Sequence, residues 1–304
     1  MIEKLVSIII PTYNRADKLK RAVDSALAQD YSNFEVIVVD DNNPGTEGRL
    51  TTSVTMEEYI GNPKVQYIQH PCNKNGSAAR NTGYRASKGE YLAFLDDDDE
   101  YLPNKIREQV NCLENRDSSW GACYCRYIRK TNSGKLVSRS NETKEGYVSF
   151  DELCRNFWHG GGTGPMIRRS VYEEVGGFDE TFQRNQDYEF MLKITKRYKL
   201  AFVDAVCYII YVHDHKNLKV TYDQILNNYL KTFEKEINAL SDDKRREFDK
   251  IIDLQSFRYY LGIRNFNKLR EIKSKGNITY RDITYYMFHL LYRRIFKISC
   301  GYHR

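Results

Sequence analysis

No stretch of this 304-residue chain reaches the roughly 18 uninterrupted apolar residues of a membrane-spanning helix. Its start, Met1 to Leu5, runs into a strand-like segment without the layout of a signal peptide, so the expectation is a cytoplasmic protein. The seven cysteines show neither CxxC nor zinc-finger spacing, which removes the usual redox and structural-zinc motifs and leaves free thiols. Cys123 and Cys125 share one face of a strand-like stretch, where packing is the expected role. The Gly-x-Gly-x-x-Gly fingerprint is missing after the first strand, which disfavours NAD. There is no internal repeat and no low-complexity linker.

The charge present is uneven. Of the net +6, the segment from Phe257 onward carries +9 and the preceding 256 residues −3, so an anionic surface would meet the tail. Tyrosine is abundant, 24 of 304 residues, which suits stacking on sugars or bases and equally suits covering helical surfaces.

Residues 6–10 form a β-branched run closed by Pro11, and residues 35–39 a second closed by Asp40 and Asp41; both read as buried parallel strands. Leu19, Val23, Ala26 and Leu27 recur at helical spacing between them. Strands at 65–68 and 91–95, with a helix at 77–86, continue a Rossmann-like half. From Trp120 the spacing predicts strands at 121–129, 166–168, 200–203 and 207–212 mixed with helices near Leu153 and Tyr188. After Tyr222 the chain turns helical, with Ile225, Tyr229, Phe233 and Ile237 four apart. The expected division is a domain over 1–220 and a helical, basic region over 221–304.

The densest chemistry lies at 94–99, FLDDDD. Four consecutive aspartates at the end of an apolar strand repel one another, and a hard divalent cation is the natural balance. Ligands in open α/β sheets sit at the carboxyl ends of strands, which favours this reading over an acidic surface turn.

Together with this run, residues 7–15 (SIIIPTYNR), 38–42 (VVDDN), 75–83 (NGSAARNTG), Pro103 and residues 175–179 (VGGFD) resemble the ordered motif set of family 2 inverting glycosyltransferases. The resemblance spans about residues 5–215. It implies a GT-A fold, an α/β architecture joining a Rossmann-like nucleotide-binding half to a mixed-sheet acceptor half, here with a C-terminal helical extension. It also implies a UDP-sugar donor and a glycan, lipid-linked or glycoprotein acceptor, with Mn²⁺ or Mg²⁺ as cofactor. Nucleic acid is not an expected partner.

Carried over position by position, the resemblance puts Pro11, Thr12, Tyr13, Arg15, Asp41, Arg80, Asp96 and Asp97 at the nucleotide sugar. The Tyr13 ring would stack on the base. Asp41, with Asp40 as the lesser alternative, would accept the uracil N3–H. Arg80 would reach the diphosphate. Asp98 and Asp99 are the candidate metal ligands, and His213, with His215 as fallback, would join them from a late strand. Asp187 matches the general base, although Gln186 stands where relatives carry Glu; Glu189 is the substitute. Residues 159–165, HGGGTGP, read as a flexible loop beside the acceptor, with a plain tight connection as the alternative. Gly76 and Gly83 suit close backbone approach.

The rival activities are a sugar nucleotidyltransferase and a non-catalytic nucleotide-sugar-binding scaffold. The first would need a glycine-rich, basic segment after the first strand, which is absent. The tail, with apolar residues at helical spacing over 280–302 beside Arg293, Arg294 and Lys297, suits peripheral contact at the inner face of the cell membrane or self-association.

Overall fold

The β-branched run at the start forms β1 (Val6–Thr12), the central strand of a computed structural model whose described residues are 3–182, 185–212 and 221–303. In chain order the following elements are α1 (Ala16–Leu27), β2 (Phe34–Asp40), α2 (Glu47–Glu57), β3 (Val65–Gln69), α3 (Gly76–Ala86), β4 (Tyr91–Phe94), β5 (Glu100–Tyr101), α4 (Lys105–Glu114), β6 (Trp120–Thr131) and β7 (Leu136–Ser140). There follow α5 (Ser149–Leu153), a single 3₁₀ turn at Gly161–Thr163, β8 (Met166–Arg168), α6 (Arg169–Val175), α7 (Gln186–Thr195) and β9 (Lys199–Val212). Five further helices close the chain: α8 (Tyr222–Thr232), α9 (Glu234–Asn238), α10 (Asp242–Gly262), α11 (Phe266–Ser274) and α12 (Tyr280–Phe296).

Two compact units result. The first comprises Met1–Ser149 and Trp158–Val212, the second Phe150–Phe157 and His213–Arg304. The sequence reading placed a single cut after residue 220, and continuity along the chain gave no sign that 150–157 joins the helical unit.

In the first unit the sheet runs β7, β6, β8, β4, β1, β2, β3. β1 pairs in parallel with β2 and β4, and β2 with β3, whereas β8 is antiparallel to both β4 and β6. β9 lies parallel to β6 along its whole length and carries β5 at its end. The residues expected to form two strands, 200–203 and 207–212, are one continuous strand, which carries its extra residues as register shifts against β6 on either side of Arg126.

Ile8 and Ile10 of β1 pack with Val36, Val38 and Leu19, Ala22, Val23 and Ala26 of α1 in one fully buried cluster. Each such isoleucine contributes about 1.5–3 kcal/mol of apolar burial. Ile9 points the other way, and a Cβ at Gly83 of α3 would approach its Cγ2 to 2.4 Å. Gly83 therefore serves helix-on-strand packing. Because β1 is flanked on both sides by parallel neighbours whose connections depart in opposite directions, the crevice at the carboxyl ends of β1 and β4 is the switch point where such sheets bind ligands.

The second unit is built around Leu254, Tyr260, Ile272, Ile278 and Tyr286. The Tyr229 hydroxyl donates to the Leu153 carbonyl (2.7 Å) and Gln255 Nε2 to the Cys154 carbonyl (3.0 Å). Asn156 and Tyr302 exchange two hydrogen bonds of 2.7 Å, which fastens 150–157 to this unit. The four-apart stripe Ile225, Tyr229, Phe233, Ile237 is divided at Phe233, the boundary of α8 and α9.

Candidate functional site

β1 ends at Thr12 and delivers Tyr13, Asn14 and Arg15 to the switch point, where β4 delivers the four aspartates. The two ends are tied through Asp97: Thr12 Oγ1 donates to its Oδ2 (2.7 Å) and Arg15 Nη1 to its Oδ1 (3.0 Å). The same Arg15 nitrogen lies 2.9 Å from Asp98 Oδ2, and Arg21 Nη2 donates to the Asp98 carbonyl (2.6 Å). Burial pushes the Asp97 carboxyl up to about 6, against the opposing pull of Arg15 and Thr12. Tyr13 stays 47% exposed, an open ring at the strand end.

Asp99 is buried, and desolvation together with the charges of Asp96 and Asp98 raises its carboxyl well above the usual range. Its Oδ2 accepts from Thr163 Oγ1 (2.6 Å), whose oxygen in turn accepts from the Asp96 amide (3.2 Å). Thr163 thus ties the glycine-rich segment to the acidic strand end. No spacing in the sequence singles out this threonine.

Arg80, on the second turn of α3, pairs with Asp96 Oδ1 and donates to the Gly76 carbonyl (3.2 Å). Its guanidinium lies 5.5 Å from the Phe178 ring centre, so residues from three motifs meet there. A Cβ at Gly162 would come within 3.3 Å of both Arg80 Nη2 and Asp96 Oδ1, and one at Gly161 within 3.5 Å of Asp187 Oδ2. Asp187 sits half-buried in the first turn of α7 and lines a small cavity with Phe94, Gly161, Gly162, Phe178 and Phe190. Gln186 is turned to its own chain, donating to the Phe182 carbonyl (2.9 Å). Glu189 is buried, and its pairing with Lys193 one turn on (3.0 Å) opposes the rise that burial imposes on its pKa.

The segment 159–165, expected to be a flexible loop, contains a 3₁₀ turn and is held from beneath. Lys105 is completely buried, and its Nζ donates to Gln109 Oε1 (2.6 Å) and to the Gly164 carbonyl (2.9 Å), which also accepts from Gln109 Nε2 (2.9 Å). The Tyr208 hydroxyl donates to the His159 carbonyl (3.2 Å). Gly160 has φ +91°, and a Cβ there would overlap the same hydroxyl, so glycine is required on both counts.

Asp41 is fully engaged with protein donors. Its Oδ1 accepts from the Lys74 amide (2.8 Å) and lies 2.7 Å from His70 Nδ1, while Oδ2 accepts from Asn73 Nδ2 (2.8 Å) and the Asn75 amide (2.9 Å). Four donors fill the acceptor sites of a carboxylate. Asn75 in turn caps α3, its side chain accepting from the amides of Ser77 and Ala78, so Asp41 fixes the entry of the helix that carries Arg80. Asp40 is buried against Arg49 of α2 (3.0 Å) and accepts from Tyr67 (2.6 Å) and Asn42 (2.8 Å).

Asp96, Asp98 and Asp99 offer hard oxygen donors and so fit Mg²⁺ or Mn²⁺ in kind, with Asp96 already paired to Arg80 and Asp98 to Arg15. Among the described residues no group of three or more His, Cys, Asp or Glu is gathered to hold an ion unaided. His213 and His215 lie outside the described residues.

Residues 7–176 match the model of Glycosyl transferase family 2. An uncharacterized glycosyltransferase of Rickettsia bellii (strain RML369-C) is 36% identical over 195 residues, which make up 62% of this chain and 27% of that protein, so the chain spans about a quarter of that relative's length. The crystal structure of S. aureus TarS 1-349 in complex with UDP-GlcNAc superposes with a TM-score of 0.59 at 19% identity, covering 85% of this chain and 73% of that one. The mannosyltransferase PcManGT from Pyrobaculum calidifontis, in complex with GDP-Man and Mn²⁺, gives a TM-score of 0.57 at 19% identity over 95% of this chain and 80% of that one. These likenesses establish the fold as GT-A.

Proposed function

Since the chain belongs to glycosyl transferase family 2, we propose that it transfers a hexose from a UDP-sugar to a hydroxyl of a glycan or glycoconjugate, with inversion at the anomeric carbon. The carrying observation is the meeting of Arg15, Arg80 and Asp96 to Asp99 at one strand end, with Asp187 lining an adjoining cavity beside Gly161 and Gly162.

The donor's base stacks on the exposed Tyr13 ring, and Pro11 and Thr12 shape the floor beneath it. Arg80 releases part of its hold on Asp96 to meet the diphosphate, Asp96 faces the ribose, and Asp97, buried and bonded to Thr12 and Arg15, acts on the nucleotide sugar by holding Arg15 beside it. A uracil N3–H reaches the Asp41 carboxylate only by displacing one of its four present donors, the Asn73 amide being a side chain and free to move. A bound Mn²⁺ or Mg²⁺ would be held by Asp98 and Asp99, with His213 as a third ligand, and would offset the charge developing on the departing diphosphate. Such ions commonly take one or two protein carboxylates and complete their shell with substrate phosphates and water, which agrees with the small donor set.

Asp187 takes the proton of the acceptor hydroxyl. The hydroxyl oxygen forms a bond to the anomeric carbon as the bond to the diphosphate oxygen breaks, and that electron pair leaves with UDP. An α-linked donor gives a β-linked product. The acceptor belongs to polysaccharide or glycoprotein-glycan assembly.

The test is a panel of UDP-hexoses, with GDP-mannose as the contrasting base, incubated with Mn²⁺ while released nucleoside diphosphate is read. UDP release above the GDP signal is expected, falling by at least about a hundredfold in Asp98→Asn. Preference for the guanine donor would replace the uridine assignment, and full activity in EDTA would sink the metal.

A further inference from the structure

Helix α12 is apolar on two faces, only one of which is covered by other residues among those described. Its inner face, Ile283, Tyr286 and Leu290, packs on the core of the helical unit with Leu254, Tyr260 and Ile272. On the other side Phe288, Leu291, Tyr292 and Ile295, spaced i, i+3, i+4, i+7, are 50–64% exposed. Four large apolar side chains in one stripe exceed the scattered exposures of an ordinary surface. No helix among the described residues is long and apolar enough to cross a membrane, so this stripe does not belong to a spanning segment.

The charges around the stripe select its occupant. Over residues 280–304 the sequence has five basic residues against a single acid, Asp282, and that acid is committed to the helix cap, receiving the Thr279 amide at 3.0 Å. Arg281 lies two turns before Phe288 on the same side, and Arg294 and Lys297 stand exposed at the opposite end. Tyrosines 280, 285 and 292 give the stripe an amphipathic margin, the pattern of rings seated at headgroup depth. A second copy of this chain would bring the same cations face to face with these, whereas an anionic lipid surface satisfies both the apolar stripe and its basic ends.

We infer that α12 is an interfacial membrane anchor, lying in the plane of an anionic bilayer with Phe288, Leu291 and Ile295 among the acyl chains and Arg281, Arg294 and Lys297 at the headgroups. This assignment is independent of the transferase reading. It places the protein where a lipid-linked acceptor would be met.

The full chain is floated with vesicles of phosphatidylcholine alone and with about 30% phosphatidylglycerol, at low and high salt, while light scattering reports its mass without lipid. Binding at least about tenfold stronger on the anionic vesicles, weakened by salt, is expected. The pair Phe288→Ser and Ile295→Ser should abolish it, and Arg281→Glu with Arg294→Glu should remove the preference for anionic lipid; both pairs are surface changes, and donor hydrolysis in solution should stay unaltered. Equal binding to both vesicles, or none, overturns the anchor. So does a dimer by scattering that the serine pair converts to monomer, which would give the stripe to a second copy.

Discussion

Asp187 and Glu189 lie two positions apart on one helix, yet their surroundings separate them. Glu189 is buried and tied to Lys193, whereas Asp187 lines the cavity beside Gly161 and Gly162. Asp187→Asn is therefore expected to lower kcat by at least about a hundredfold, while UDP affinity, measured by calorimetry with Mn²⁺ present, changes by less than about twofold. A variant that turns over normally would return Asp187 to the role of a helix-start carboxylate. The meeting of Arg15, Arg80 and the aspartate run was legible at single residues, because they belong to motifs of fixed order. What supports them was not. His70, Arg49 and Thr163 act through contacts 29, 9 and 64 positions away in the chain, with Asp41, Asp40 and Asp99. Only the folded sheet brings such partners together, and no local pattern marks them.

At the scale of elements, strands with continuous β-branched runs were readable and the glycine-rich segment 159–165 was not. Its glycines suggest freedom, but two of them are needed because Tyr208 and the His159 carbonyl leave no room for a side chain at 160 and 164. Lys105, the first residue of α4, holds this segment from the interior through the Gly164 carbonyl. A buried ammonium is costly unless well bonded, and here it has Gln109 and Gly164 as acceptors and the rings of Tyr101 and Tyr208 at 4.7 and 5.2 Å. Lys105→Met keeps the volume and removes the tether. Turnover should fall about tenfold, with the donor KM within about twofold, because the loosened segment carries Gly161 and Gly162 beside Asp187 and Asp96. A lowered melting temperature with unchanged kcat would restrict Lys105 to stability. Helix α2 was missed altogether: its apolar positions are sparse, with Thr52 and Met56 buried but Leu50 and Val54 exposed, and Arg49 does the anchoring.

At the scale of the whole molecule, the two units are built on different principles, a sheet that gathers charge at one edge and a helical unit rich in tyrosine. Both tryptophans, Trp120 and Trp158, fall in the first unit, so their emission leaves the second unreported. The second unit carries its own titratable marker. His289 of α12 packs its ring against Tyr286 and Tyr302, at centroid separations of 6.5 and 5.3 Å, and its Nε2 is buried without a hydrogen-bond partner. Burial, with Arg293 and His303 nearby, lowers its pKa from 6.5 to about 4. Because the folded pKa lies below the unfolded one, the unfolded chain binds the proton first as pH falls. The stabilising contribution is complete above about pH 6.5 and is lost progressively towards pH 4. The His289 ring resonance should accordingly titrate near pH 4 in the folded protein. Protection of the α12 amides against hydrogen exchange, corrected for intrinsic rates, should decline over the same window. His289→Phe keeps an aromatic ring against Tyr302 and removes the proton site, so its α12 protection should be much less sensitive to acid. A wild-type ring titrating near 6.5 would mean that the imidazole is hydrated, and the acid sensitivity of this unit would then have to come from its carboxylates.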